Sequence, residues 1–400
     1  MNGSSSEPEN YLIRKIFQDY REQIQNDTSL KQPQKQAAMM ISMCKTGELG
    51  FQVSVCPNCG HREVHYASCN NRNCPCCQWA SQQGWIKKRQ NEVIPDIPYY
   101  HIVLTLPHEL NLLIQYNEKL ILSKLFSCSA QAVIDLCNDS KFLGAVPGIV
   151  SVLHTWRQDL LCHYHVHMIV SGGGLNNVGK FVSQNDPSRN RNKQRKFKDG
   201  FFLPMSALTN LFRGKMMNAV KSLWKNNKLV LPNLNIYTDP IGWSSFCDKL
   251  YETDWVGYLA RTFNGNGNAI EYLARYTFRT AISNSRIQSY DGKTVTFSVT
   301  DRETHEKKQV CLSAMEFIKR LLSHVLPKGF TRVRYFGFLS NARRTKKLKS
   351  IHIQRHLPEY IPLVINSQHD LFLAVWNVDV SVCKCCGTRL IYLPRGSTAC

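Results

Sequence analysis

The stretch that decides the fold is His163-Tyr164-His165-Val166-His167-Met168-Ile169-Val170, followed by Ser171-Gly172-Gly173-Gly174. Side chains alternate along a β-strand, so residues two apart share one face. The three histidines therefore point to one face, while the apolar residues between and after them point into a core. Imidazoles on one strand face are a ready pair of ligands for a divalent metal ion. The triple glycine predicts a turn that ends the strand and leaves this face uncrowded.

A third metal ligand is expected from the chain that leads into the histidine strand. An apolar strand is predicted from Val146 to His154, and Trp156-Arg157-Gln158-Asp159-Leu160 follows it. The candidate ligands are His165 and His167, and the third could be Gln158, His154 or Asp159. The buried-strand pattern between Pro95 and Pro107 carries His101, for which a hydrogen-bonded strand histidine is a simpler interpretation than a ligand.

The composition indicates the class of partner. The chain has 400 residues and a formal charge of +21, from 50 Lys and Arg against 29 Asp and Glu. Such an excess favours nucleic acid, because neutralising phosphates rewards it directly; an anionic membrane surface is the alternative. No stretch approaches 18 apolar residues and the first ten residues are polar, so we expect a cytoplasmic, nucleoid-associated protein without a membrane span.

The 16 cysteines are interpreted as metal ligands and buried thiols. Two Cys-x-x-Cys pairs, Cys56/Cys59 and Cys74/Cys77, have the spacing of one tetrahedral structural zinc site. Four nearby side chains are surplus to this set and could complete or distort it: Cys44, His61, Cys69 and Cys76. A single knuckle near the C-terminus, Cys383-Lys384-Cys385-Cys386-Gly387, lacks an evident partner pair, and whether it binds zinc is left open.

A second constellation lies in Glu271-Tyr272-Leu273-Ala274-Arg275-Tyr276-Thr277-Phe278-Arg279, which is predicted to be helical. Tyr272 and Tyr276 are four residues apart, so their hydroxyls share one helix face, with Arg275 and Arg279 beside them. Two aromatic residues at this spacing most often belong to a core, and the histidines are what make a chemical role worth considering.

The segment from Pro327 to Gly337 alternates like a basic, aromatic strand. Its arginines, Arg332 and Arg334, are predicted to contact single-stranded DNA while its aromatic residues stack on bases.

These parts suggest one kind of chemistry. A phenol titrates near pH 10, so a tyrosine nucleophile needs help at neutral pH. A metal held by two histidines can polarise a scissile phosphate and orient it for in-line attack. The product is a 5′-phosphotyrosine link with a released 3′-OH, which keeps the energy of the broken bond so that a second nucleophile can reseal it. Two tyrosines on one helix allow two linked strand transfers.

The sequence resembles a known family at these motifs. "HYHVHMIVSGGG" resembles the His-hydrophobic-His (HUH) motif of rolling-circle nucleases, and "YLARYTFRTAISNSRI" resembles the two-tyrosine helix of HUH insertion-sequence transposases that carry an N-terminal zinc ribbon. The segments "HIVLTLP", "FFLPMSALTNLFRGKM" and "LPKGFTRVRYFGFLSN" are similar in the same order. The resemblance, over about residues 40–345, implies an α+β fold with an HUH endonuclease-like antiparallel sheet flanked by helices. It also implies His165 and His167 as ligands of Mg²⁺ or Mn²⁺, and Tyr272 and Tyr276 as nucleophiles.

The expected organisation has four parts: a helical segment (1–43), a zinc-ribbon DNA-binding domain (44–92), a catalytic domain (93–345) and a basic C-terminal tail (346–400). The expected partners are single-stranded DNA at the ends of a mobile element, target DNA and host replication proteins.

Three alternatives remain open: a rolling-circle replication initiator or relaxase, a non-enzymatic zinc-ribbon DNA-binding protein, and a carboxylate-metal transposase. A relaxase with a fused helicase would need a phosphate-binding Gly-x-x-x-x-Gly-Lys-Ser/Thr loop, which the sequence lacks.

Overall fold

A computed structural model describes residues 11–184, 202–262, 280–300, 304 and 306–396. Within these residues the chain has the predicted α+β class, with antiparallel strands in three sheets. The helices are α1 (Leu12–Asp19), α2 (Arg21–Asn26), α3 (Gln32–Ser42), α4 (Gln78–Gln90), α5 (Asn111–Tyr116), α6 (Glu118–Asn138), α7 (Met205–Lys225), α8 (Asn235–Thr238), α9 (Pro240–Glu252), α10 (Ala314–Leu322), α11 (Arg344–Gln354) and α12 (Gln368–Trp376). The strands are β1 (Phe51–Val55), β2 (Arg62–Tyr66), β3 (Tyr99–Thr105), β4 (Val146–Trp156), β5 (Cys162–Leu175), β6 (Phe181–Ser183), β7 (Gly257–Thr262), β8 (Ile287–Tyr290), β9 (Thr294–Thr300), β10 (Lys307–Ser313), β11 (Val333–Gly337) and β12 (Ile391–Tyr392).

The largest sheet is built around the histidine strand, β5. Its strand order is β11-β4-β5-β3-β7, with β6 added to β5. All of these pairs are antiparallel. Every residue of β5 from Tyr164 to Gly174 is buried, because the strand has neighbours on both sides and packed elements on its faces. β5 therefore holds its side chains in a fixed frame.

One face of this sheet packs against helices. Ile102, Val166 and Met168 on the strands share a core cluster with Phe126 of α6 and Phe212 of α7. Apolar residues recur on α6 at helical spacing, which gives it the stripe that it buries against the sheet.

The opposite face carries the histidines and is covered over part of its length. Val150, Val152 and Ile169 pack there against Leu348 and Ile351 of α11. The histidines continue the same face toward the β4–β5 connection. The apolar contacts with α11 thus do not include the histidines, which are nevertheless buried.

A separate core cluster joins distant parts of the chain. It contains Ile16 of α1, Ile41 of α3 and Cys74 together with Phe297 of β9 and Phe317 of α10. Segments that were predicted to lie in three different parts therefore share one core. The predicted boundaries at residues 43, 92 and 345 stay a prediction.

The triple glycine does not end the strand, so that prediction is wrong. Gly172, Gly173 and Gly174 lie inside β5, and their role is close packing. A Cβ atom at Gly172 would lie 2.6 Å from a side-chain carbon of Pro98, and one at Gly174 would lie 2.5 Å from the Val146 carbonyl oxygen. The glycines thus let neighbouring chain segments approach the strand.

Among the described residues one helix, α6, is long and apolar enough to cross a membrane by length and composition, although no such stretch was expected. Leu122, Leu125, Phe126 and Val133 of this helix are buried in the protein core. The helix therefore has the packing of a core helix.

Most of the other predicted elements are confirmed, with shifted ends. The sequence also predicts helices over 11–43 and 110–137, and the structure has α1–α3 and α5–α6 there. The basic, aromatic strand is shorter than predicted, because only β11 within 327–337 pairs with β4.

Candidate functional site

Three histidines meet on one face of the large sheet, on its interior strands β4 and β5, and we call them the histidine cluster (His154, His165 and His167). His154 of β4 pairs directly with His165 of β5, and Val152 pairs with His167. Cross-strand partners have side chains on the same face, about 5 Å apart. One nitrogen from each of the three rings lies within 4.8 Å of the others, and all three residues are buried. The cluster therefore brings three imidazoles to one point.

The distances inside the histidine cluster fit a metal ion. His165 Nε2 and His167 Nε2 are 3.1 Å apart. Two nitrogens about 2.1 Å from one ion are separated by about 3.0 Å at a right angle and about 3.4 Å in a tetrahedron. The observed separation lies between these values. Two histidines proposed as ligands thus have the spacing that a shared divalent ion requires.

Each of these two candidate ligands is oriented by a further contact. His165 Nδ1 lies 3.0 Å from the carbonyl oxygen of His163, and His167 Nδ1 lies 2.9 Å from His101 Nε2. Burial lowers the pKa of His101 to about 4, so this ring is neutral at pH 7. Ligand histidines commonly use their second nitrogen in this way, which fixes the ring and its tautomer. His101 thus contacts a candidate ligand, as a hydrogen-bonded strand histidine.

The hydrogen bonds of Gln158 are made to Thr300 and Arg286, not to the three imidazoles. Its side-chain oxygen accepts from the Thr300 backbone at 2.7 Å, and its carbonyl accepts from Arg286 at 2.5 Å. Asp159 accepts from Arg157 at 2.7 Å. Of the three residues considered for the third ligand, the structure brings His154 to His165 and His167. The role of Gln158 as a metal ligand stays a prediction. Its hydrogen bond with Thr300 gives its side chain a structural role as the alternative.

A cleft of about 640 Å³ opens beside the histidine strand. Thr105, which pairs with His165, lines it together with His163 and Gln158. Both cationic and anionic side chains line it, namely Arg157, Lys308, Asp159 and Asp254. The cleft therefore gives access to the strand that holds the candidate ligands.

The two arginines of the predicted DNA-binding strand have protein partners. Arg332 donates to the Leu153 carbonyl at 3.1 Å and lies over the ring of Trp156, 4.8 Å from its centre. Burial lowers the pKa of Arg332 to about 9. Arg334 lies over Phe126 and donates to Ser123 at 3.1 Å. Their role as DNA contacts stays a prediction.

Arg332 nevertheless lies close to the metal-binding candidates. The ring of Trp156 stacks on that of His154 at 4.7 Å, and the Arg332 guanidinium lies over the same tryptophan. A positive charge thus stands one ring away from the histidine cluster.

The four cysteines predicted to form one zinc site are divided between two groups. Cys74 and Cys77 lie with Cys44 and Cys69 in the first cysteine cluster, while Cys56 and Cys59 lie in the second cysteine cluster with Cys383 and Cys386. In each cluster the four sulfur atoms are within 4.8 Å of one another. The predicted single site is thereby corrected. The surplus Cys44 and Cys69 were the signal for the first cluster.

The first cysteine cluster fits a structural zinc ion. Cys69 Sγ and Cys77 Sγ are 3.6 Å apart, and Cys69 and Cys74 are buried. Zinc–sulfur bonds of about 2.3 Å place tetrahedral sulfurs about 3.8 Å apart. Arg72, which lies between Cys69 and Cys74 in the sequence, donates a hydrogen bond to the Phe330 carbonyl at 2.5 Å. The cluster is thus anchored to the segment that precedes β11.

The two predicted nucleophiles and the arginines beside them, Tyr272, Tyr276, Arg275 and Arg279, lie outside the described residues. The chain enters that segment directly from β7, which pairs with β3 and is the edge strand of this sheet among the described residues.

Comparisons with known proteins identify the family. The model described as "Putative transposase" matches residues 148–347, and the model described as "Transposase zinc-binding domain" matches residues 15–106. The chain is 34% identical over 340 residues to the "Putative transposase y4qJ" of Sinorhizobium fredii, a match that covers 84% of this chain and 81% of that protein. The chain belongs to this transposase family.

The transposase is also 29% identical over 357 residues to the "Transposase for insertion sequence element IS801" of Pseudomonas savastanoi pv. phaseolicola, which covers 87% of the transposase and 80% of its relative. No solved structure matches it significantly. The identification from sequence, an insertion-sequence transposase with a zinc-binding domain, is confirmed. The transposase's histidine strand and β11 both fall within the first matched region, and its first cysteine cluster falls within the second.

Proposed function

We propose that this transposase cuts and rejoins single-stranded DNA at the ends of a mobile element through a 5′-phosphotyrosine intermediate. The observation that carries the proposal is the histidine cluster, with three buried imidazoles at one point of a sheet face. A DNA-binding zinc ribbon without activity would not need this cluster. Such a protein would also not be expected to match a transposase family over residues 148–347, outside the ribbon.

An HUH-like arrangement is part of the proposal. In support, a His-hydrophobic-His sequence occupies the central strand of an antiparallel sheet, with α6 and α7 packed behind it. The tyrosine segment follows β7, an edge strand of the same sheet. The three groups of described residues that could hold a metal consist of histidine or cysteine alone. This composition speaks against a carboxylate-metal transposase.

The proposed reaction exchanges one phosphodiester for another. The hydroxyl oxygen of Tyr272 or Tyr276 attacks the scissile phosphorus, and the bond from phosphorus to the 3′ oxygen breaks. The tyrosine gives up its phenolic proton, and the leaving 3′ oxygen takes up a proton to become the 3′-OH. Attack by a 3′-OH on the phosphotyrosine reverses these steps, so rejoining needs no external energy source.

The histidine cluster is proposed as the site of Mg²⁺ or Mn²⁺. When bound, a divalent ion there supplies a Lewis acid that polarises the scissile phosphate. Three nitrogen ligands favour Mn²⁺ of the two, because Mg²⁺ prefers oxygen ligands and keeps much of its water. His101 and the His163 carbonyl hold two of the rings in place for this ion.

DNA binding is proposed at the face that carries the histidine cluster. Arg332 lies beside it through Trp156, and the cleft lined by His163 and Thr105 opens next to it. The excess of 21 positive charges favours binding of a phosphate backbone. We propose that the transposase works at the nucleoid and that host replication proteins are its partners in a rolling-circle route.

The test uses single-stranded DNA from an element end, labelled on either side of the expected nick, with Mn²⁺ or Mg²⁺. We expect a covalent adduct between the protein and the 5′ side of the nick on denaturing gels. The adduct should be lost with EDTA and in His165→Ala. Cleavage without an adduct would show a water-using nuclease and overturn the tyrosine chemistry.

Matched variants assign the roles. His154→Ala should raise the Mn²⁺ concentration needed for the adduct, whereas Gln158→Ala should leave it unchanged. Tyr272→Phe and Tyr276→Phe, alone and combined, identify the nucleophile. An adduct of normal yield in the double tyrosine variant would refute the assignment.

A further inference from the structure

We propose that Cys56, Cys59, Cys383 and Cys386, the second cysteine cluster, bind a zinc ion that joins the C-terminal segment to the N-terminal ribbon. The matched family regions end at residues 106 and 347, so the C-terminal pair lies outside both of them. The proposal concerns a structural site and is independent of the tyrosine chemistry.

The sulfur atoms have the arrangement of a tetrahedral tetrathiolate. Cys56 Sγ lies 3.4 Å from Cys386 Sγ, and Cys59 Sγ lies 3.6 Å from Cys383 Sγ. All four sulfurs are within 4.8 Å of one another. Tetrahedral sulfurs at zinc–sulfur distances of about 2.3 Å are about 3.8 Å apart. The four thiols are thus close to the spacing that one zinc ion imposes.

The two pairs are built as equivalent knuckles, although they are more than 300 residues apart. Both have the sequence Cys-x-x-Cys-Gly. Gly60 donates its backbone N–H to Cys56 O at 3.0 Å, and Gly387 donates to Cys383 O at 2.8 Å. These glycines have φ angles of +71° and +73°, a conformation that favours glycine.

The equivalence extends to the hydrogen bond that closes each knuckle. Cys56 N donates to His61 O and Cys383 N donates to Thr388 O, both at 2.8 Å. Two independently coded turns of the same geometry, facing each other through their sulfurs, form the two halves of one metal site.

The strand β12, which follows the second knuckle, is attached to the ribbon by a short stretch of strand pairing. It pairs with β1 at Ser54↔Tyr392 and Val55↔Ile391. Lys384 of the second knuckle forms an ion pair with Glu63 of β2. Ile391, Tyr392 and Leu393 are all more than 40% exposed, so this strand buries little apolar surface. Earlier in the C-terminal segment, α12 is held by its packing on α4, where Trp376 stacks on Trp79. For the residues after α12, strand pairing alone gives weak attachment, which a zinc ion would strengthen.

Zinc fits these ligands better than the other ions considered for this protein. Thiolates are soft ligands that select zinc and exclude Mg²⁺ and Mn²⁺. The four thiols give up four protons to solvent as they become thiolates on zinc, with no change of oxidation state. Two disulfides between the facing cysteines are the competing chemistry, and they would remove four hydrogens and need an oxidant.

The first experiment uses the wild-type full-length chain and measures alkylation of each cysteine by iodoacetamide, read by mass spectrometry. Cys59, Cys386 and Cys385 are all exposed. We expect Cys385 to react at once, while Cys59 and Cys386 react at least tenfold more slowly until a strong zinc chelator is added. Equal rates for the three cysteines before chelation would overturn the proposal. Protection that a reductant removes and a chelator does not would show disulfides and overturn it as well.

The second experiment counts zinc by elemental analysis. The double variant Cys383→Ser/Cys386→Ser should contain one zinc ion fewer per chain than the wild type, and Cys385→Ser, in the same knuckle, should retain the full number. Limited proteolysis should release the C-terminal segment from the double variant and leave it protected in the control. An unchanged zinc content in the double variant would refute the site.

Discussion

His101 should control metal binding although it is not itself a proposed ligand. Its Nε2 lies 2.9 Å from Nδ1 of His167, and both side chains are buried. His167 can offer the lone pair of Nε2 to a metal only if Nδ1 carries the proton, and that proton then points at His101. The perturbation is His101→Phe, which keeps a ring of similar size and removes the acceptor.

The expected size of the effect follows from two independent estimates. Leaving one buried polar group without its partner costs about 1–3 kcal/mol. Loss of the group that orients a ligand histidine typically lowers metal affinity by about 10- to 100-fold, which corresponds to about 1.4–2.8 kcal/mol. The two ranges agree. We therefore expect the Mn²⁺ concentration that gives half-maximal adduct to rise by about 10- to 100-fold, and saturating Mn²⁺ to restore the adduct.

The assay is a Mn²⁺ titration of adduct formation, paired with calorimetric titration of Mn²⁺ without DNA. The matched control is His324→Phe. His324 is also buried, but it contacts the Leu160 carbonyl and Thr155 and makes no hydrogen bond to the histidine cluster. The control should lose stability and keep the wild-type Mn²⁺ midpoint. A folded His101→Phe protein with wild-type Mn²⁺ affinity would refute the reasoning, as would equal shifts in both variants.

Three further predictions concern stability and use urea or thermal unfolding. Gly337→Ala would place a Cβ atom 1.6 Å from the Pro147 carbonyl oxygen at a φ of +63°, so it should lower the free energy of unfolding by about 3 kcal/mol or more. The control Gly179→Ala also has a positive φ, but its Cβ atom would meet open space, so it should cost about 1 kcal/mol. Similar losses of stability in the two variants would contradict the packing argument. Arg72→Met leaves two backbone carbonyls without their half-buried donor and should cost about 1 kcal/mol, so an unchanged urea midpoint would show that this anchor does not stabilise the first cysteine cluster. The hydrogen bond from Lys319 lowers the pKa of Asp27 from 3.8 to about 2, so its contribution is present above pH 4 and is lost as the pH falls through 2. Lys319→Met should therefore lower the melting temperature more at pH 6 than near pH 2, where about half of Asp27 is already protonated; a difference of the same size at both values would contradict this linkage.

The features that the sequence predicted correctly are local ones. The alternation around His165 and the helical spacing in 110–137 each involve neighbours within one element, and the structure has the expected strand and helices there. Glycine has two uses that look alike in a sequence, a turn and a close approach of chains. The triple glycine serves the second, because Pro98 and Val146 arrive from other elements.

Cysteine partners were not predictable in the same way. Cys-x-x-Cys spacing defines half of a tetrahedral site, and the second half comes from whatever the fold brings near it. Two half-sites 14 residues apart looked like one whole, but Cys56 lies with Cys386 and Cys74 lies with Cys44. Cys56 meets Cys386 because β1 pairs with β12. A strand of only two residues near the C-terminus has no sequence pattern from which this pairing could be predicted.

The identity of the third histidine follows from the register of β4 on β5. Val152, Leu153 and His154 pair with His167, Val166 and His165 without a shift, so the register of the buried part of the sheet places His154 opposite His165. The register shifts after His154, because Trp156 pairs with Cys162 next to the turn. A one-residue slip moves the side chains of a strand to its other face. A residue inserted into β4 between Val152 and His154 should therefore turn His154 away from the histidine cluster while His165 and His167 remain in place, and adduct formation should then need the same raised Mn²⁺ concentration as in His154→Ala.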